Sequence, residues 1–375
     1  VTVRAREALL RALLAGAAVG AALLGVELAL RAAGYVPRWY HASARLVDPR
    51  WRVLLDCYPS NPRGYFDVDL RTPESRERYF HLAPHRYDAV AARVPYAVKA
   101  EYNSLRFRDV EPAPRREGVR RVVIVGDSFS EGQGVQEPDT CARVLERLLN
   151  AGGAQWEVRN CGRRGLDFPA LYEEAFADAL KYSPDVVVYA MVLNDADRSP
   201  DFQARQSYVN DWILDRGRLH DGRPFPEMHL LDSRLKALVA DRIENWRTAR
   251  ATSRWYHDMY GEPNREGWAR TQGYVREMNR RTLAQGGRFL LASWPLMIHL
   301  EGDDPFAEVS EKVARFCLAA GIPRHDLRAA FHGPRTESLW VHPVDMHPNE
   351  TAHRLAAESL APAVRALVSE PVKGE

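Results

Sequence analysis

The stretch RRVVIVGDSFSEG, residues 120–132, decides the fold. Val122, Val123, Ile124 and Val125 are four β-branched apolar residues running into Gly126, the pattern of a strand buried on both faces of a parallel sheet. Asp127 and Ser128 follow at once, and then a helical pattern with Val144, Leu145, Leu148 and Leu149 on one side. A serine directly after a buried strand, on a turn into a helix, stands at the carboxyl edge of the sheet, where open α/β sheets hold their ligands. The helix N-terminus beyond it offers free N–H groups and the positive end of a dipole, suited to a developing oxyanion.

Outward from this stretch the rhythm repeats. Trp156–Asn160 reads as a second strand, Val186–Met191 as a third and Phe289–Ser293 as a fourth, with a weak strand or extended segment near 322–328. Helical spacing occupies about 168–182, 264–285, 305–319 and 349–367. Strand alternating with helix predicts an α/β fold with a parallel sheet and helices on both faces. Between Asp195 and Gly287 the alternation breaks. Residues 197–260, rich in Arg, Asp and Trp and with a helix predicted over Ser233–Asn245, read as an insertion. It follows a strand end directly, so it is expected to cover the edge that Ser128 occupies.

The N-terminus has a different chemistry. Ala12 to Val26 is a run of 15 apolar or glycine residues, interrupted by Glu27 and resumed by Leu28, Ala29 and Leu30. Counted from Ala8 to Ala33, the segment is long enough to cross a bilayer, for which about 20 residues suffice. Arg4, Arg6 and Arg11 precede the apolar run, predicting a cytoplasmic N-terminus and an exported remainder, periplasmic or extracellular. Residues 1–35 therefore read as an uncleaved membrane anchor. The alternatives are a signal peptide cleaved near Ala32 and Ala33, and a soluble helix, which the cost of Glu27 in lipid favours. Residues 36–118, rich in proline, arginine and aromatics, read as an irregular extension that ties the anchor to a domain over 119–368.

Composition narrows the function. The 375 residues are 46% hydrophobic and 27% charged, which excludes a disordered chain, a fibre or a polytopic membrane protein. The net charge is +2, and no dense basic block occurs among the 52 basic residues, so no nucleic-acid partner is expected. Cys57, Cys141, Cys161 and Cys317 form no CxxC pair and read as separate buried thiols.

A serine hydroxyl is a weak nucleophile until a base takes its proton. The stretch WVHPVDMHPN, residues 340–349, supplies a candidate: His347 lies in a predicted loop just before the last helix, with Asp345 two residues earlier. In an extended segment residues i and i+2 share a side, and Pro348 favours that conformation at His347, so the Asp345 carboxylate is expected to reach His347 Nδ1. Together these are the nucleophile, base and orienting acid of a serine hydrolase. Two further strand ends carry polar groups: NCGRRG at 160–165, and Leu193-Asn194-Asp195. A backbone N–H near Gly165 and the Asn194 amide would meet the Ser128 N–H around one oxygen. Competing readings make Ser128 a helix cap and Asn194 and Asp195 turn residues. His342, Asp345, His347 and His353 match no common zinc spacing, so neither metal nor cofactor is expected. The nucleophile-elbow pattern GxSxG is absent at Ser128, because Ser130 occupies its last glycine.

On these blocks the chain resembles the SGNH hydrolases, also called the GDSL family, over roughly residues 100–368. Gly126-Asp127-Ser128-Phe129 matches their first block, and Gly165, with Gly162 as the alternative, their second-block glycine. In their third block, GxND, Asn194 and Asp195 match but Val192 replaces the glycine. In the last block, DxxHP, His347 and Pro348 match and the aspartate is displaced by one residue, to Asp345. The stretch from Asn103 to Asp109 (NSLRFRD) is similar to a segment that precedes the core in membrane-anchored bacterial members. The resemblance implies a flavodoxin-like three-layer α/β/α sandwich with Ser128 as nucleophile, His347 as base and Asp345 as its orienter. It also implies an oxyanion hole made of the Ser128 N–H, the Gly165 N–H and the Asn194 side chain. The implied activity is that of a serine esterase or deacylase acting on a small-molecule or glycan ester. An O-acyltransferase using the same residues, and a glycan-binding protein that retains the fold without catalysis, are the alternatives.

Overall fold

The computed structural model describes residues 3–35, 100–166, 168–205, 231–342 and 345–369. The apolar runs form five strands: β1 Arg120–Gly126, β2 Trp156–Gly162, β3 Val186–Met191, β4 Arg288–Ser293 and β5 Arg324–Asp326. They pair in the order β2-β1-β3-β4-β5, parallel throughout. The absence of polar–apolar alternation follows from cover on both faces. Val123, Val125, Val187 and Tyr189 enter one apolar cluster, and Val122, Ile124, Val186 and Val188 enter the other.

Helices among the described residues position the rest, chief among them α1 Val3–Ala32, α2 Ser128–Glu131, α3 Cys141–Asn150, α4 Arg234–Met259, α5 Arg265–Ala284, α6 Ala307–Ala319 and α7 Glu350–Ser369. On one face α3 contributes Val144, Leu145 and Leu149, and α7 contributes Ala356, Leu360 and Val364. On the other, Val275 and Met278 of α5 pack with Val309, Val313 and Phe316 of α6. The result is the expected three-layer α/β/α arrangement.

The helix expected over 168–182 forms without a gap, with a π-helical stretch at Leu171–Phe176. The wider turn carries Leu171, Ala175 and Phe176 together into the core. The helix expected over Ser233–Asn245 continues to Met259, because no glycine or proline occurs until Gly261 and Pro263. The loop expected at His347 is instead a strand: β6 Trp340–His342 and β7 Asp345–Pro348 pair antiparallel, with His342 opposite Asp345. The segments at 340–342 and 345–348 are too short to show a period-two pattern.

The 29 residues of α1 from Arg4 to Ala32 form a helix long and apolar enough to cross a membrane. Glu27, the residue that counted against that reading, has a partner. Its carboxylate accepts from Arg234 N at 3.0 Å, Leu235 N at 2.8 Å and Ser233 Oγ at 3.0 Å, and Arg31 Nε donates to it at 2.6 Å. The charge thus meets the free N–H groups at the start of α4. Of the expected irregular extension, residues 36–99 lie outside the described residues, as do 206–230 of the expected insertion. Cys141, Cys161 and Cys317 are free and buried, as expected, and Cys57 falls among residues 36–99.

His353 ties α7 to α3. It is fully buried, and its Nδ1 accepts from Cys141 N at 3.1 Å. Burial, with the Arg108 charge and His347 nearby, pushes its pKa down to about 3. The folded protein therefore holds this imidazole neutral, whereas the unfolded chain protonates it near pH 6.5. Its contribution to stability is complete above pH 6.5 and is lost as the pH falls from there towards 3. Thermal melts of the wild type should fall over that window, and the fall should be smaller in His353→Gln.

Candidate active site

β1 ends at Gly126, and the chain turns at once into the single turn of α2. Asp127 caps that turn, its Oδ1 accepting from Phe129 N at 2.9 Å. Ser128 is therefore the first helical residue and not the cap, which leaves its hydroxyl free of the helix. α2 lies flat on the end of β2: a Cβ on Gly162 would stand 2.3 Å from Glu131 N and 2.7 Å from Ser130 C. This close approach requires glycine at 162, whereas Gly165 is required by its backbone, at φ +74°.

The contact at the centre of the site joins two distant parts of the chain. Ser128 Oγ and His347 Nε2 are 2.9 Å apart. Both residues are half-buried. With the imidazole neutral and Nε2 unprotonated, the serine O–H donates and the nitrogen can take its proton. The Phe129 ring packs against the imidazole at 5.4 Å between centroids and is itself held edge-on by Trp294. β7 supplies the extended backbone expected at Asp345 and His347. The Asp345 side chain lies outside the described residues, as do Pro343 and Val344.

The other two strand ends converge on the same edge. Asn194 follows β3 and is exposed; its Nδ2 donates to Asp127 Oδ2 at 3.1 Å. That bond places the amide beside the residue preceding Ser128 and leaves its second N–H available. Asp195 turns inward, accepting from Val192 N and Tyr189 Oη, each at 3.0 Å. Burial, and then the neighbouring Asp127 carboxylate, push the Asp195 carboxyl well up. Burial likewise raises Asp127 against the bonds from Phe129 N and Asn194. The Asp127–Asn194 link was not read from the sequence, although GDS beside an Asn-Asp pair carried the signal. Gly165 lies exposed in the turn after β2. Among the described residues no His, Cys, Asp and Glu group is arranged to hold a metal.

The geometry brings together a serine, an imidazole and an amide at the mouth of a helix N-terminus, an arrangement suited to acyl transfer. The sequence pattern of the GDSL-like lipase/acylhydrolase family matches residues 124–355. No curated protein sequence matches the chain. Solved structures of similar fold include a lipase/acylhydrolase from Enterococcus faecalis, 15% identical, covering 66% of this chain and 96% of that one at a TM-score of 0.39. An esterase from Pseudoalteromonas sp. is 12% identical, covering 67% of this chain and 100% of that one at 0.40. An acetyl xylan esterase is 17% identical, covering 65% and 99% at 0.39.

Gly162→Ala should push α2 away from β2. The expected cost is about 2 kcal/mol of stability, the scale of an overpacked core, with a loss of turnover larger than the stability loss accounts for. Denaturant titration beside ester-hydrolysis rates checks both.

Proposed function

Since the chain belongs to the GDSL-like lipase/acylhydrolase family, we propose that it is a serine esterase whose nucleophile is Ser128, activated by His347 and acting on acylated glycans or other esters with a polar alcohol. The observation that carries this reading is the 2.9 Å contact between Ser128 Oγ and His347 Nε2 at the carboxyl edge of the sheet.

In the first half-reaction Ser128 Oγ attacks the ester carbonyl while His347 Nε2 takes its proton. The carbonyl oxygen becomes an oxyanion facing the Ser128 N–H, the Gly165 N–H and the free N–H of Asn194. The imidazolium then protonates the departing alcohol, leaving an acyl-serine. In the second half-reaction His347 deprotonates a water, which attacks the acyl-serine, and the imidazolium returns that proton to Ser128 Oγ as the acid leaves. Asp345, two residues back on the extended β7, orients the imidazole through Nδ1 and steadies its positive charge. Because Asn194 is held on Asp127, its amide is fixed before the substrate arrives, the condition under which such donors are most effective.

The surroundings favour a polar alcohol. Beside Leu193 a small crevice of about 20 Å3 is bordered by Ser293, Asp304, Arg324 and Asp326 together with Trp294 and Phe306. Carboxylates, guanidinium groups and aromatic rings on the rim of this crevice suit the hydroxyls and ring face of a sugar lying across it. The domain of this reading runs over 119–368, with residues 197–260 inserted beside the site. α1 serves as an uncleaved anchor that holds the domain outside the cytoplasm, in keeping with Arg4, Arg6 and Arg11 ahead of its apolar run.

On a panel of p-nitrophenyl esters and acetylated sugars, Ser128→Ala and His347→Ala should lose at least 1,000-fold in kcat, in keeping with loss of a triad member, while melting like the wild type. Asp345→Asn should lose less than either. A folded Ser128→Ala enzyme retaining more than a few per cent of turnover ends the nucleophile assignment. Acyl sugar accumulating when a glycan is added to the ester would identify a transferase in place of a hydrolase. A reporter fused after residue 375 should be active only outside the cytoplasm, and cytoplasmic activity would reverse the topology.

A further inference from the structure

Glu131 stands three residues beyond Ser128, at the end of α2, and is 1% exposed. A carboxylate in that position is costly unless its oxygens are satisfied. One oxygen accepts from Arg164 N at 2.7 Å. The other accepts from Arg164 Nε at 2.8 Å, from Arg164 Nη2 and from the Tyr102 phenol at 2.5 Å. Burial alone would raise its pKa, and the Arg164 charge with these bonds turns the shift downward, so the group is ionised at neutral pH.

The bonds join three parts of the chain. Glu131 shares its helix with Ser128. Arg164 immediately precedes Gly165, in the turn after β2. Tyr102 belongs to the segment ahead of the core, whose other residues brace the chain that leaves this helix and the turn after β2. Arg108 Nη1 donates to Gly132 O at 2.7 Å and Arg108 Nη2 to Val135 O at 2.8 Å, while Arg163 Nη2 returns to Leu105 O at 2.5 Å. The most direct tie is to main chain: the bond from Arg164 N fixes the peptide group next to Gly165.

We propose that Glu131 is a positioning residue for ester cleavage, holding the Arg164–Gly165 turn against the Ser128 helix so that the Gly165 N–H meets the oxyanion formed at Ser128. Nucleophile and oxyanion donor then move as one body. The NSLRFRD segment at 103–109 belongs to this support, with its neighbour Tyr102 closing the carboxylate. The inference rests on the reading of Ser128 as nucleophile and Gly165 as oxyanion donor. Glu131 touches no substrate. Its effect should therefore appear where the oxyanion is bound and not where the ground-state ester is.

The test uses the full chain in detergent, with p-nitrophenyl acetate as substrate and benzeneboronic acid as the mimic of the tetrahedral adduct. Glu131→Gln keeps the shape but removes the charge. It should lower kcat at least tenfold, leave KM within about twofold, and weaken the boronate in the same proportion as kcat/KM. Tyr102→Phe and Arg164→Lys, which disturb the carboxylate less, should show smaller losses in the same ratio, and they serve if Glu131→Gln does not fold. Wild-type kcat in these variants, a change in KM alone, or a fall in kcat without weaker boronate binding would overturn the proposal. Ser128→Ala run alongside separates the two readings. An active Ser128→Ala enzyme removes the nucleophile on which the proposal rests, whereas an inactive one beside a Glu131→Gln enzyme of wild-type kcat removes only the role of Glu131.

Discussion

The contact between Ser128 and His347 depends on how one face of the sheet is packed. The two residues are 219 positions apart, and what brings them together is α7 lying beside α3 over Val122, Ile124, Val186 and Val188. Leu145 and Leu149 of α3 and Ala356, Leu360 and Val364 of α7 share one apolar cluster. Small alanines on α7 let it approach closely, and His353 fastens it to the first N–H of α3. β7 leads straight into α7, so the position of His347 is set by the same packing that closes the core. An imidazole in hydrogen-bond contact with a serine tolerates little displacement, which makes core packing on this face a condition of that contact.

Three buried carboxyl groups at the carboxyl edge differ in what meets them. Asp127, Glu131 and Asp195 are all buried within a few residues of Ser128 or Asn194. Glu131 has a cation in Arg164, whereas Asp127 and Asp195 are met by neutral donors: Phe129 N, Asn194 Nδ2, Val192 N and Tyr189 Oη. The difference shows in their titration, with Glu131 driven down and both aspartates driven up. Polar groups desolvated in this way are strongly oriented, and the loops after β1, β2 and β3 are each tied to one of them.

The parts of this architecture that were legible in the sequence are those with a strong local signal. VVIV before GDSF gave a buried strand and a serine on its edge, and His347-Pro348 before an alanine-rich helix gave the partner. Helix ends were legible only where glycine or proline marked them, so α4 was read short at Asn245 although the first breaker is Gly261. The β6–β7 hairpin was not legible, because three- and four-residue strands carry too little pattern. The roles of Asp127 and Glu131 were hidden for another reason. An acidic residue near a helix start reads as an exposed cap or dipole partner. Only the tertiary position of Asn194 and Arg164 shows that these two are buried and shared between loops.

Glu27 illustrates the same limit and resolves it. As a residue in an apolar run it argues against a membrane span, because a lone carboxylate in lipid is expensive. In the fold it lies in the last turns of α1, where it meets Arg31 and the opening N–H groups of α4, so the charge is neither lone nor deep. α4 then runs 26 residues, about 39 Å at the α-helical rise, to Met259, which is buried in the core. The next residue, Tyr260, donates through its hydroxyl to Leu193 O at 3.0 Å, one residue before Asn194. A single helix therefore joins the end of the apolar N-terminal segment to the loop that carries the Asn194 amide. The acidic residue that weakens the membrane reading in one dimension is, in three, the point where that segment is fixed to the start of α4, whose far end reaches the Asn194 loop.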